Sequence, residues 1–404
     1  MAFQTKHSVL NSDYNKQIFQ NIYLFRTFGK STAINQMKIL YDHQIFSSQP
    51  FGGISRYLCS LMQEFQKPDS GIEFTVPLFF SNNNYIHEPG LYPDLNYFFR
   101  NHNFRGRDRI IEFINRRKVI SYMDKNKQQV QVFHPTYYSP YFLDYLGKIP
   151  YVLTVHDMIH ERFEHLPARD KECRDKAAAA GRAAAIIVPS ESTRQDLIGF
   201  LGTPPEKIHV IHHGFTQIQQ NLNCPELPEK YFLYVGQRKY YKNFPLLLKA
   251  FAETVAADSK VMLLCCGGGA FTPEENAWIN QLELSERVMQ RSFTDGELFH
   301  VYHHAAAFVY PSQCEGFGIP VLEAFGCTCP AILSDIPCFR EVAGDAANYF
   351  NPDSAAELSN LMLAMLNSEN LRNELRLKGR KRLESFSWQK AAGATAEVYR
   401  KISS

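Results

Sequence analysis

From residue 37 onward, short apolar runs alternate with longer stretches of helical periodicity. The runs at 37–42, 74–79, 130–134, 151–155, 185–188 and 208–211 read as strands, several of them apolar throughout and so buried on both faces. Amphipathic segments at 57–65, 171–184 and 191–201 fall between them, and Ser190 stands where the last of these needs an N-cap. Residues 216–229 show no periodicity and carry Pro225 and Pro228, the mark of a linker. A second alternation follows, with strands at 231–235, 261–266, 307–310 and 331–334. Its helices are expected at 244–255, from 321, and at 355–366, 370–383 and 388–402. The pattern predicts an α/β protein: two doubly wound sheets in tandem, with a cleft between them. The expected division is an N-terminal extension at 1–36 that is dispensable or precedes an internal start at Met37, a first domain at 37–215, the linker at 216–229, a second domain at 230–385, and a C-terminal helix at 386–404 that packs back on the first domain.

Composition narrows the class. The chain has 404 residues, 45% hydrophobic and 21% charged, which suits two globular domains. A formal net charge of +2 excludes a chain-wide nucleic-acid-binding field. No apolar run approaches the ~18 residues of a membrane span, and no signal-peptide pattern precedes the first strand. The nine cysteines form no Cys-x-x-Cys pair and no spacing typical of zinc ligands. They read as reduced thiols of a cytoplasmic protein, with Cys265 and Cys266 as small core residues.

Ligands of such sheets lie beyond the carboxyl ends of the strands, and the chemistry-bearing residues of this chain cluster there. Glu315-Gly-Phe-Gly-Ile-Pro-Val-Leu-Glu323 links a buried strand to a helix, with Gly318 in the turn and Pro320 in the first helical turn. Backbone N–H groups at such a helix start, near Val321 and Leu322, suit phosphate. The flanking carboxylates do not, and sugar hydroxyls are their natural partners. Arg238 and Lys242, four residues apart after the strand 231–235, are expected to point the same way and neutralise a diphosphate. Gly52 and Gly53 follow the first strand, and His134 and His156 end two others, where imidazole can bond or accept protons. Gly267-Gly-Gly269 lacks the dinucleotide-binding spacing.

The motifs carry a resemblance. Val235-Gly236 with Arg238 and Lys242, the Glu315-to-Glu323 segment, Ser334-Asp-Ile-Pro337 and Glu341-Val-Ala-Gly344 resemble the donor half of family-4 retaining glycosyltransferases. Gly52-Gly-Ile-Ser-Arg-Tyr57, His134-Pro-Thr-Tyr137, Thr154-Val-His-Asp-Met158 and Pro189-Ser-Glu-Ser192 resemble their bacterial mannosyltransferase-like branch. The resemblance covers residues 37–404. It implies the GT-B fold, two facing Rossmann-like domains around an interdomain cleft, and catalysis without a bound metal or other cofactor. Arg238 and Lys242 would bind the donor diphosphate, Glu315 the transferred sugar and Glu323 the ribose. Gly318, Val321, Leu322 and Gly53 would border the phosphates, with His156 by the sugar ring and Gly52 and His134 on the acceptor side. The branch points to GDP-mannose as donor and to a glycan or lipid-linked glycan as acceptor, in cell-surface polysaccharide synthesis. Two departures stand out: Lys239 beside Arg238, and His212-His213-Gly214 where the family has Asn-Gly.

Between residues 102 and 127 eight Lys and Arg interleave with apolar residues and only three acids. Such a helix suits peripheral contact with anionic lipid at the inner membrane face. Rival activities on the same scaffold are a sugar phosphorylase, a nucleotide-sugar epimerase, or a non-catalytic nucleotide-sugar-binding module.

Overall fold

The computed structural model describes residues 36–403 except 89, 101, 103, 167 and 219–223. The extension at 1–36 thus lies almost wholly outside the described residues, as does the middle of the expected linker. The unit running from Lys38 onward contains two α/β halves.

In the first half, β1 (Met37–Tyr41), β2 (Ile72–Thr75) and β3 (Val132–His134) pair in the order β2-β1-β3. β4 (Val152–Thr154), β5 (Ala185–Val188) and β6 (Ile208–Val210) pair in sequence order. A parallel bridge from Phe133 to Tyr151 joins the two sets. The second half holds β7 (Tyr231–Val235), β8 (Met262–Cys266), β9 (Val288–Arg291), β10 (Ala307–Tyr310), β11 (Ala331–Ser334) and β12 (Ala347–Phe350). Their order is β12-β11-β10-β7-β8-β9, parallel throughout. The four inner strands of this sheet are buried almost completely, as two-sided helical cover requires. One cover helix, Phe244–Ala257, packs Leu247, Leu248 and Phe251 onto the sheet; helix Ile319–Gly326 packs Val321, Leu322 and Phe325 on the other face.

Strand order reverses between β7 and β10, because β7 leads to β8 on one side while β10 lies on the other. That switch point opens a crevice at the strands' carboxyl ends. Ser190 caps helix Glu191–Leu201, accepting a hydrogen bond from Thr193 N–H. The last helix, Trp388–Ser403, crosses back to the first half, where Tyr399 Oη lies 2.8 Å from Tyr41 Oη.

Candidate functional site

Lys242 and Glu315 meet at the β7/β10 switch point. Past β7 the chain turns at Gly236 (φ 132°) and makes a single 3-10 turn, Tyr240–Lys242. Gln313 N–H donates to the Tyr241 carbonyl (2.7 Å), so this turn is tied to the loop after β10. Lys242 Nζ then donates to Glu315 Oε1 (2.5 Å) and to Tyr310 Oη (3.1 Å). Their side chains are only 13% and 10% exposed. Burial alone would lower the Lys242 pKa, but Glu315, Tyr310 and Tyr241 outweigh it and hold the ammonium well above its usual range. A permanent cation beside a carboxylate results.

Arg238 does not join them, which corrects the expectation from spacing. Its Nε donates to Glu275 Oε1 (2.9 Å), and its guanidinium nitrogens donate to the carbonyls of Gly267, Gly269 and Ala270 (2.8, 2.8 and 3.2 Å). It is 6% exposed and lies over Phe271. The three glycines all have φ of 72–81°, a left-handed run that only glycine holds without strain, and Arg238 braces it. Residues four apart share a face on a helix; here Lys239 is extended (φ −79°, ψ 142°), so the two cations diverge.

Glu323 sits in helix Ile319–Gly326, 9% exposed. Its Oε1 accepts from Arg56 Nη1 (2.5 Å) and its Oε2 from Tyr302 Oη (3.1 Å). Arg56 belongs to helix Gly53–Phe65 of the other half, so this pair bridges the halves. A cavity of about 410 Å³ opens beside it, lined by Arg56, Thr216, Ile218, Gly296, Leu298 and Glu323. Gly318 (φ 99°) stands at the N-cap of this helix, and Leu322 is buried in its first turns. The Val321 N–H is not left for an anion: it donates to the Gly318 carbonyl (2.9 Å).

The loop between the two glutamates is fastened to the first half. The Gly316 carbonyl accepts from Ser190 Oγ (2.7 Å) and Thr193 Oγ1 (3.3 Å). A Cβ on Gly316 would lie 1.8 Å from the His156 carbonyl oxygen, so glycine is required by this close approach. Glu341 completes the fastening. Its carboxylate accepts from the N–H of Glu191 (2.9 Å) and lies 2.7 Å from His212 Nε2, capping a helix of the opposite half. Burial works to raise the Glu341 pKa, but His212 and the N–H groups of Glu191 and Ser192 hold it below the usual range. Between Glu315 and Glu341 lies a second cavity of about 560 Å³, reached by Arg162, Gln195 and Ile336.

His156 is half-buried beside this loop, its ring centroid 5.4 Å from Tyr57 and 6.4 Å from His213. Burial pushes its pKa down to about 4, so the ring is neutral near pH 7. His213 packs among Tyr57, Phe317 and Trp388, and its Nδ1 has no hydrogen-bond partner. His134 is a correction: it is fully buried, with Nδ1 2.6 Å from Tyr399 Oη and Nε2 2.9 Å from Thr154 Oγ1. It fastens the last helix to the first sheet instead of facing an acceptor. Gly52 is covered by the Gln49 side chain, which a Cβ there would strike at 2.3 Å. Gly53 faces Ile319, 3.7 Å from its would-be Cβ.

Sequence reasoning gave no role to Arg56, Tyr310 or Glu341, and to Ser190 only that of a helix cap. Three of them sit in quoted motifs, so the signal was present; what was missing was the pairing across the two halves.

Residues 51–216 match the family model described as Glycosyltransferase Family 4, and residues 217–382 that described as Glycosyl transferases group 1. The chain is 32% identical over 169 residues to the O-antigen chain mannosyltransferase RfbU of Salmonella typhimurium, covering 42% of this chain and 47% of that protein. The match therefore spans about half of that relative. It is 25% identical over 290 residues to O-antigen chain mannosyltransferase B of Escherichia coli, covering 67% and 74%. Among solved structures it resembles sucrose-phosphate synthase from Thermosynechococcus elongatus (TM-score 0.70, 19% identity, 91% of this chain and 99% of that one). It also resembles Anabaena HepE solved with UDP and glucose (TM-score 0.67, 17% identity, 89% and 98%). These likenesses show the GT-B fold.

Proposed function

The chain belongs to the GT-B glycosyltransferases that these two family models describe, and on that premise we propose that it transfers a hexose, with retention, from a nucleotide sugar to a hydroxyl of a glycan or lipid-linked glycan. The observation that carries this reading is the Lys242–Glu315 pair at the β7/β10 switch point, the position where a doubly wound sheet binds its ligand. In the proposal, Lys242 leaves Glu315 to stabilise the leaving diphosphate, and Glu315 turns to the hydroxyls of the transferred sugar. Glu323 exchanges Arg56 for the ribose hydroxyls, with the nucleotide in the cavity lined by Gly296 and Leu298. Gly318 and Leu322 border the phosphates, and His156, neutral and next to the Gly316 loop, lies by the sugar ring. The leaving diphosphate takes the acceptor's proton on the same face, so neither glutamate acts as a nucleophile. Arg238 has no part in this scheme beyond bracing the glycine loop.

Mannose as the sugar follows the relatives named as O-antigen chain mannosyltransferases, and GDP-mannose as its donor is part of the proposal. The reaction is placed in the cytoplasm, where nucleotide sugars are found. No helix among the described residues is long and apolar enough to cross a membrane. The helix Arg107–Asn126 turns Ile111, Val119 and Met123 to the core, with Ile120 and Tyr122 packed beside them, so most of its apolar residues serve packing. Phe104, Ile110 and Phe113 stay 41–58% exposed beside Arg105, Arg109 and Arg117, the last lying over the Phe113 ring. That patch is the part proposed to rest on anionic lipid. Cosedimentation with anionic vesicles that disappears at high salt supports this contact, and no cosedimentation at low salt removes it. For the activity itself, nucleotide release is measured with GDP-mannose and other donors, with and without acceptor. Acceptor-dependent release supports transfer, phosphate-dependent sugar release points to a phosphorylase, and donor isomerisation without acceptor to an epimerase.

A further inference from the structure

Outside the cleft, the structure brings together three metal-ligating side chains from two separate segments. Cys224 Sγ and one ring nitrogen each of His300 and His304 all lie within 4.8 Å of one another. Their sequence spacing does not show this, because Cys224 lies in the linker while the histidines lie at the end of helix Asp295–His303. The one-turn separation of His300 and His304 puts both rings on one face, nearly parallel (6°) with centroids 6.0 Å apart. His303, between them, is turned elsewhere: its Nδ1 lies 2.8 Å from Thr328 Oγ1. The segment that follows Cys224 is anchored, and the Cys224 thiol itself donates to the Pro225 carbonyl (3.5 Å). Arg291, at the end of β9, donates to the Glu226 carbonyl (2.7 Å), and Leu227 packs on the hydrophobic core. Cys224 is also the one exposed cysteine of the chain, so its thiol can reach solvent and ion alike.

We propose that Cys224, His300 and His304 bind a zinc ion. A thiolate with two imidazoles suits borderline-soft Zn²⁺ and excludes Mg²⁺ and Ca²⁺, which require oxygen ligands. On binding, the Cys224 thiol loses its proton to solvent, both imidazoles bind neutral, and a water fills the fourth tetrahedral position. No electron transfer is involved. The ion ties the segment connecting the two halves to the helix whose Gly296 and Leu298 line the cavity beside Glu323. It therefore acts as a tether of the linker, independent of whether the cleft transfers a sugar.

The full-length protein is stripped with chelator, then titrated with Zn²⁺ in competition with a chromogenic chelator and, separately, with Co²⁺. Wild type is expected to take up one zinc per chain, to show a thiolate-to-cobalt charge-transfer band, and to lose alkylation of Cys224 when zinc is present. Cys224→Ser and His304→Ala, both at exposed positions, are each expected to lose the competing zinc uptake and the Cys224→Ser spectrum its thiolate band. Metal-free wild type and variants are expected to unfold at the same urea midpoint, showing that the variants fold. Zinc uptake unchanged in the two variants, or a wild type that takes up none in competition with the chelator, overturns the assignment.

Discussion

Replacing Lys242 by methionine tests the switch-point pair in two currencies at once. The substitution keeps most of the side chain's volume and deletes its charge, leaving the Glu315 carboxylate about nine-tenths buried with no cation beside it. A contact ion pair is worth about 4 kcal/mol at an effective dielectric of ~20, but the desolvation of both ions largely offsets it. Removing one partner exposes the uncompensated half of that balance, about 3–5 kcal/mol for a fully buried pair. With residual exposure near one-tenth, the lower end, roughly 3 kcal/mol, is the expected loss in Lys242→Met. Adding Glu315→Gln removes the stranded charge, so the double variant is expected to recover to within ~1 kcal/mol of wild type. Activity follows a different course: both the single and the double variant are expected to lose about 10²–10³-fold in nucleotide release, the cost of one electrostatic stabiliser. Chemical unfolding and donor turnover, measured on the same preparations, separate the two effects. A single variant as stable as wild type, or a double variant no more stable than the single, would refute the account of the pair.

Acid stability follows from buried imidazoles. Burial pushes His134 down to about 3 and His43 and His156 to about 4, whereas in the unfolded chain each titrates near 6.5. The unfolded state therefore binds more protons below pH ~6.5, and stability is expected to fall steadily from there toward pH 4. His134→Gln is expected to make that fall shallower in urea melts taken across the range, and a flat profile in wild type counts against the burial argument. Gly316→Ala forces a Cβ against the His156 carbonyl oxygen and is expected to lower turnover sharply with circular dichroism unchanged; full activity would mean that the loop does not need this approach. Arg238→Met strands the Glu275 carboxylate and releases the glycine loop, so roughly 3 kcal/mol of stability is expected to go. A loss of donor affinity at unchanged stability would instead restore Arg238 to the diphosphate.

The inner strands of the second sheet were legible because burial on both faces makes them almost wholly apolar: Tyr231–Val235, Met262–Cys266, Ala307–Tyr310 and Ala331–Ser334. The edge strands were not. Val288–Arg291 and Ala347–Phe350 have one partner each and mix polar with apolar residues, so neither period stands out. The strand expected at 74–79 lies instead at Ile72–Thr75, again at an edge. The places of Glu315, Glu323 and Lys242 at the carboxyl ends of the strands were legible from motif and position. Arg238 misled because i, i+4 spacing converges only on a helix, and the intervening residues are an extended residue and a 3-10 turn. His134 misled because a strand end can face the interior when a later helix covers it, as Trp388–Ser403 does. The bridges from Arg56 to Glu323 and from Glu341 to the 191–201 helix depend on how the halves meet, which no local pattern encodes.

Lys242 and Glu315 are proposed to mark the centre of a nucleotide-sugar transfer site. The most direct test is acceptor-dependent nucleotide release from a panel of sugar donors by wild type and Glu315→Gln side by side. Wild type is expected to release nucleotide from one donor, GDP-mannose first among them, and Glu315→Gln to fall about 10²-fold or more at unchanged fold. Equal release by the two proteins would contradict this placement.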